Sequence, residues 1–220
     1  MPIFIDKSSL DSGLSDYGKM WEIQRELHSK VVANKSQDTV LLTVHSPVYT
    51  AGRRTEKFEL PTDDTPVVEV DRGGKITWHG PGQLVGYPIL HLPAALDVIA
   101  HVRRLEEVLI NTCAELGLVT SRIKGRSGVW VTDQGIDRKV AAIGVRVAQG
   151  VTMHGFSLNC DNDLSWFDRI VPCGISDASV TTIQRELGLP TTINSVLPIL
   201  EKHLHQVFDP IADLAQLRSA

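Results

Sequence analysis

The chain has 220 residues, with 22 Lys and Arg against 26 Asp and Glu and a net charge of −4. There is no basic footprint for nucleic acid, and no apolar stretch nears the roughly 18 residues of a membrane span, so neither is an expected partner. Three widely spaced cysteines (Cys113, Cys160, Cys173) form no CxxC and no even framework; they point to a reducing, cytoplasmic setting and away from disulfides.

No Pro/Ser/Gly linker or charge run divides the sequence, so a single domain over 1–220 is expected, and the N-terminus shows no signal peptide. Residues 2–5 suit a short strand. Residues 15–32 carry Tyr17, Met20, Trp21, Leu27 and Val31 on one helical face, with Ser15 as the expected N-cap. The β-branched run 40–44 suits a buried strand that ends at the His45-Ser46-Pro47 turn. The segment 50–54 leaves that turn with Arg53 and Arg54, readable as a solvated loop or as anion recognition. Residues 56–65 read as a loop.

The centre is rich in glycine. A strand at 67–70 is followed by Asp71-Arg72-Gly73-Gly74-Lys75, a strand at 76–79, the turn Gly80-Pro81-Gly82-Gln83, and an apolar strand at 84–90. The simple reading is a hairpin. The functional reading is that Gly73-Gly74 bares backbone N–H groups to a ligand, Arg72 holds an anion or carbonyl-rich group, and His79 is aimed by the rigid turn after it. No phosphate-cradling GxxxxGK[ST] or strand-to-helix GxGxxG is present.

An amphipathic helix is expected over 95–116, with Leu96, Ile99, Val102, Leu105, Val108 or Leu109, and Leu116 inward, Arg103, Arg104, Glu106 and Glu107 in water, His101 at the surface and Gly117 just past the end. Cys113 reads as structural. Strands follow at 128–132, 139–147 and 151–159. Lys139 opens one as a solvated cap or a site residue, and Ala141, Ala142 and Gly144 leave room beside it. His154-Gly155 interrupts the next, and glycine in a strand marks close approach of a ligand or backbone. Cys160 reads as structural. A closing helix is expected over 195–208; His203 and His205 point to different faces, and no metal site is expected.

Cys173 stands between Pro172 and Gly174, which fix it at a defined point of a loop. It is either an inert buried thiol or a nucleophile.

Together these motifs resemble the lipoyl(octanoyl) transferases of lipoate biosynthesis. The matching runs are Arg72-Gly-Gly-Lys-Ile-Thr-Trp-His-Gly-Pro-Gly-Gln83 with Tyr87-Pro88, Gly128-Val-Trp130, Lys139-Val-Ala-Ala-Ile-Gly144, His154-Gly155 through Leu158-Asn159, and Pro172-Cys173-Gly174-Ile175, over about residues 10–190. Trp78 stands where a tyrosine is common, and Ala142-Ile143-Gly144 varies a pocket segment.

The resemblance implies an α+β (mixed α/β) fold, a mostly antiparallel or mixed sheet with flanking helices, of the biotin/lipoate protein ligase and class II aminoacyl-tRNA synthetase type. It implies octanoyl transfer from octanoyl-acyl carrier protein to a lysine of lipoyl domains, in 2-oxoacid dehydrogenase E2 subunits and glycine cleavage H protein, with no cofactor. Cys173 would carry the acyl group and Lys139 would activate it. Arg72, Gly73, Gly74, Lys75, Ile76, Thr77, Trp78, His79, Ala142, Ile143, Gly144, Gly155, Phe156 and Ser157 would line the acyl site, with His154 accessory. The competing readings are an ATP-dependent lipoate or biotin ligase, a non-catalytic protein that binds acyl carrier or lipoyl domain, and a cysteine hydrolase that releases free octanoate.

Overall fold

The structure, a computed structural model, describes residues 2–61, 65–93, 97–132, 135–170 and 178–216, with side chains described to residue 210. Cys173 and its neighbours 171–177 lie outside the described residues, as do Ala95 and Leu96 of the expected middle helix.

Eleven strands are described: β1 (Phe4–Asp6), β2 (Thr39–Thr43), β3 (Val48–Ala51), β4 (Val67–Glu69), β5 (Thr77–His79), β6 (Gln83–Ile89), β7 (Ser121–Ile123), β8 (Arg126–Val131), β9 (Asp137–Ala148), β10 (Val151–Asn159) and β11 (Ala178–Val180). The helices are α1 (Ser8–Asp11), α2 (Tyr17–Val32), α3 (Val98–Glu115), α4 (Ile183–Leu187) and α5 (Ile193–Gln216). A mixed sheet runs β1-β2-β6-β10-β9-β8-β7, with β11 also on β9; a small sheet runs β4-β3-β5. This is the expected mixed sheet with flanking helices.

One face of the large sheet is closed by α3 and α5. Leu105, Val108, Leu109 and Cys113 of α3, and Val196, Leu200, Leu204 and Phe208 of α5, bury against Val40, Leu42, Leu84, Val129 and Leu158. The other face carries α2 and the small sheet, where Tyr17, Met20, Leu41, Val48, Val70, Val85 and Tyr87 pack together. The candidate site lies on this second face.

Several local expectations are corrected. β5 pairs with β3 and β6 pairs with β2 and β10, so the glycine-rich centre joins two sheets and is not a hairpin. Asp16, not Ser15, caps α2: its carboxylate accepts from Lys19 N at 2.9 Å, while Ser15 is held in a bridge to His45. Leu105, Val108 and Leu109 of α3 are buried as expected, while its first turn and its polar positions depart from the expected pattern. Ile99 is 77% exposed, whereas His101, Leu105, Val108 and Thr112, a set at helical spacing, are buried. His101 therefore sits inside, its ring 5.8 Å from that of Phe208. Glu106 is buried as well. It accepts from Gly128 N (3.2 Å), Arg103 (2.6 Å) and Arg122 (3.0 Å), so three donors balance its loss of water.

Candidate active site

A cavity of ≈ 280 Å³ opens between the large sheet and the glycine loop before β5, at the small end of the range for small-molecule sites. Its floor is read from strand register. Ser157 of β10 faces Val85 on one side and Ala142 on the other, and Gly155 faces Gly144. All five line the cavity, as do Ile143 and Phe156. The opposite wall brings Arg72, Gly74, Lys75, Ile76, Thr77 and His79.

Two expected residues are not on the lining. Thr77 and His79 face inward, so Trp78, between them on a strand, faces away. Its indole stacks on Trp166 (5.6 Å between centroids) and meets Phe167 edge-on. Gly73 is absent from the lining too; its N–H bonds Val145 O at 3.0 Å and pins the loop to β9.

Lys139 reaches the cavity because of an irregularity. Val129 faces Ala141 while Trp130 faces Lys139, which leaves Val140 as the extra residue of a bulge. In a regular strand Lys139 would lie on the face opposite Ala142 and Gly144. The bulge re-aims it onto theirs and sends Val140 into the core. Lys139 is only 7% exposed, and its ammonium lies 4.6 Å from the Trp130 ring centroid, a cation–π contact. It is therefore not a solvated cap.

The small residues expected to make room for a ligand are in part filled by the protein itself. A Cβ at Gly155 would meet Gly86 O at 2.1 Å, and one at Gly144 would meet Arg72 Cδ at 2.9 Å. Arg72 spends its guanidinium on the chain's own carbonyls: Gly73 O (3.1 Å), Lys75 O (2.9 Å) and Thr50 O (2.7 Å), besides Thr50 Oγ1 (2.9 Å). It is a staple that holds the glycine loop on β3.

From Thr50 a directed chain of hydrogen bonds continues. The Thr50 hydroxyl donates to His79 Nε2 (3.3 Å), His79 Nδ1–H donates to Gln83 Oε1 (2.7 Å), the Gln83 amide donates to Asn159 Oδ1 (2.9 Å), and the Asn159 amide donates to Thr181 O (3.0 Å). The histidine tautomer is the one these partners require. Burial pushes His79 down to about 3, with His45 beside it acting in the same direction, so the imidazole is neutral. A second cluster backs the cavity. His45 Nδ1–H donates to Ser15 O (3.1 Å) and Nε2 accepts from Tyr87 (2.7 Å), and the Tyr17 ring stacks on His79 at 5.9 Å. Burial raises Tyr17 to about 12 against the pull of Arg72, and lowers His45 to about 4.

His154 has φ of 57° in mid-strand, in the left-handed region that costs a non-glycine residue about 1–3 kcal/mol. The turn carries its ring beside Trp21, and Nε2–H donates to Asp71 Oδ1 at 2.7 Å. Asp71 also pairs with Arg146. Burial lowers the His154 pKa, opposed by Asp71; burial pulls Asp71 up, and its bond from His154 with Arg146 and Arg53 nearby more than reverses that.

Two thiols are excluded as nucleophiles. Cys113 and Cys160 are fully buried, and burial raises both, Cys113 to about 12. Lining residues that the sequence does not mark as site residues are Tyr17, Val85, Tyr87, Gly125, Arg126 and Ser127. Tyr17 gives only a helical-stripe signal, and Arg126, at the start of β8, belongs to no motif.

Comparison with known proteins follows the same lines. The family described as Lipoyl protein ligase A/B catalytic domain matches residues 16–205. An octanoyltransferase of Salinispora tropica is 61% identical over 207 residues, spanning 93% of this chain and 97% of its own. One from Streptomyces coelicolor is 51% identical over 235 residues, spanning 88% of this chain and 89% of its own. Among solved structures, lipoate-protein ligase A bound with ATP aligns at a TM-score of 0.64 and 13% identity, covering 98% of this chain and 93% of that one. An archaeal lipoylation system from Thermoplasma acidophilum, a bipartite lipoate protein ligase with its E2 lipoyl domain, aligns at 0.62 and 12%, covering 88% and 86%. At such identities the structural likeness speaks to fold alone.

Proposed function

The chain belongs to the octanoyltransferases, within the lipoyl protein ligase A/B catalytic-domain family, and on that footing we propose that it moves an octanoyl group from octanoyl-acyl carrier protein to a lysine of a lipoyl domain through a thioester on Cys173. The acceptors are lipoyl domains of 2-oxoacid dehydrogenase E2 subunits and the glycine cleavage H protein, and the setting is the reducing cytoplasm, which keeps the thiol free.

The observation that carries this reading is Lys139, buried and turned by a bulge into a cavity floored by Val85, Ala142 and Ser157. A free thiol has a pKa of about 8.5, so little of it is thiolate at neutral pH, and a nearby ammonium favours the thiolate. The Cys173 thiolate attacks the donor carbonyl, and the carbonyl–sulfur bond to pantetheine breaks. Lys139 gives its proton to the departing thiolate. The acceptor lysine amine then attacks the enzyme thioester, Lys139 takes up the proton that amine loses, and Cys173 leaves as thiolate. One thioester exchanges for another and then gives way to an amide, which runs downhill without ATP.

The test is intact mass after mixing the protein with octanoyl-acyl carrier protein in the absence of ATP. A single octanoyl adduct, removed by hydroxylamine and missing in Cys173→Ala, is expected. Labelling of a lipoyl domain only when free octanoate and ATP are supplied would overturn the reading.

A further inference from the structure

The cavity floor has a reacting end and a closed end. Lys139, Ala142 and Ser157 also border a small void beside Thr77 and Phe167, so the lysine stands at the β9 side of the floor. From there the floor crosses the sheet: Ala142 of β9 faces Ser157 of β10, and Ser157 faces Val85 of β6. At Val85 it is closed. Val85 is buried and packs with Tyr17 of α2, Leu41 of β2 and Tyr87. The Tyr17 ring, which also lines the cavity, touches His45 (5.0 Å between centroids) and His79 (5.9 Å).

Lengthwise, along β9, the floor runs into Arg72 instead, whose Cδ lies 2.9 Å and whose Nη1 lies 3.3 Å from where a Cβ of Gly144 would stand. An apolar chain gains from burial against apolar surface and not from ending on a charged group, so the crosswise path is the one that suits it. Neighbouring strands lie about 4.8 Å apart, which makes the path from β9 to β6 roughly 10 Å. An extended chain advances about 3.3–3.6 Å over three backbone bonds, so the carbon–carbon bonds of an extended octanoyl group span roughly 8 Å. With its carbonyl over β9, such a chain brings its methyl end up to Val85 and Tyr17. A longer one would run into them.

We propose that Val85 and Tyr17 form the stop that sets acyl chain length, so that eight carbons are selected by where β6 and α2 close the cavity. The proposal rests on the octanoyl reading above and adds the residues that determine its specificity. The stop is firm. Val85 is held in register by Thr43 of β2 on one side and Ser157 of β10 on the other, and Tyr17 is buried in the first turn of α2. A close-packed wall of this kind admits an extra methylene only if its neighbours shift.

The test compares the rates at which the full chain is loaded from acyl carrier protein charged with hexanoyl, octanoyl, decanoyl or dodecanoyl groups, followed by intact mass. The wild type is expected to prefer octanoyl over decanoyl by about tenfold or more, the scale on which a closed apolar pocket judges methylenes. In Val85→Ala the decanoyl-to-octanoyl ratio is expected to rise about tenfold, and Tyr17→Leu is expected to move it the same way. Val85→Ile, which lengthens the stop, is expected to raise the hexanoyl-to-octanoyl ratio. A purely structural role lowers loading at every length alike and leaves the ratios in place. Unchanged ratios in these variants, or a wild type that loads decanoyl as fast as octanoyl, would overturn the proposal while octanoyl transfer stands. A wild type that loads no acyl group of any length would overturn the transfer reading, and the stop with it.

Discussion

Lys139 and Val180 are Cα partners in the parallel pairing of β9 with β11, and the next residue, Thr181, donates its N–H to Lys139 O at 2.9 Å. The strand that returns from the cysteine segment is thus hydrogen-bonded to the residue whose ammonium faces the cavity, although 34 positions of sequence separate Lys139 from Cys173. The pairing motivates the expectation that the ammonium lowers the thiol pKa. In Lys139→Ala the pH profile of Cys173 alkylation is expected to shift upward, and transfer is expected to fall by about 10²–10⁴-fold, the usual range for a lost acid–base group. An unmoved alkylation profile counts against the dyad.

Gly128 supports the same lysine from the neighbouring strand. Its φ is 111°, and a Cβ there would stand 2.5 Å from Ala141 O and 3.5 Å from Lys139 Cε. Gly128→Ala is therefore expected to cost about 1–3 kcal/mol from backbone strain, and to slow acyl loading beyond what the stability loss explains, because the bulge that aims Lys139 must shift. Urea midpoints and single-turnover loading, measured side by side, check both. A variant as stable and as fast as the wild type would show that the bulge has slack.

Much of this arrangement was legible in the sequence, and the failures have physical causes. β10 over 151–159 and Gly117 just past α3 followed from period and turn chemistry. The expected lining residues came together, apart from Gly73 and Trp78. Alternation along β5 alone would have turned Trp78 outward once Thr77 and His79 were put inside. His101 and Glu106 depart from the rule that polar side chains mark the wet face of a helix, because His101 packs on Phe208 of α5 and Glu106 is held by Gly128 N, Arg103 and Arg122. The bulge at Val140 leaves no trace in sequence, since it depends on how β8 meets β9. The role of Arg72 is half visible: the sequence offers an anion or a carbonyl-rich group as its partner, and the partners in the structure are the protein's own carbonyls.

The hydrogen-bond chain from Thr50 through His79, Gln83 and Asn159 to Thr181 gives Asn159 a positioning role. Asn159→Ala strips Thr181 O of a donor and the Gln83 amide of an acceptor, all in buried surroundings. A loss of about 1–3 kcal/mol for each polar group left unpaired is expected. The more telling readout is kinetic: the maximal acyl-loading rate is expected to fall while donor affinity stays near wild type, because Thr181 anchors the β9–β11 junction and not the cavity floor. A variant that loses donor affinity instead would place Asn159 in substrate binding.

Acid sensitivity follows from three buried histidines. Burial holds His45 near 4, His79 near 3 and His101 near 4, all below the ordinary 6.5. As pH falls below 6.5 the unfolded chain takes up these protons and the folded chain does not. Each site therefore withdraws stability at about 1.4 kcal/mol per pH unit, so the three together withdraw roughly 4. The stability they permit is complete above pH 6.5 and is lost progressively as pH falls toward 4 for His45 and His101 and toward 3 for His79. Against the 5–15 kcal/mol of a typical domain, cooperative unfolding is expected near pH 5. Urea midpoints at pH 7.5, 6.5, 6.0 and 5.5 measure the slope. His101 offers the clean control, since neither ring nitrogen has a hydrogen-bond partner among the described residues and it lies on the face of the sheet opposite the cavity. His101→Leu loses no hydrogen bond and removes one titrating site, so its slope is expected to be shallower by about one third and its stability at pH 5.5 higher than wild type. An unchanged slope would mean that His101 is protonated in the folded protein, which its apolar surroundings and the nearby Arg104 oppose.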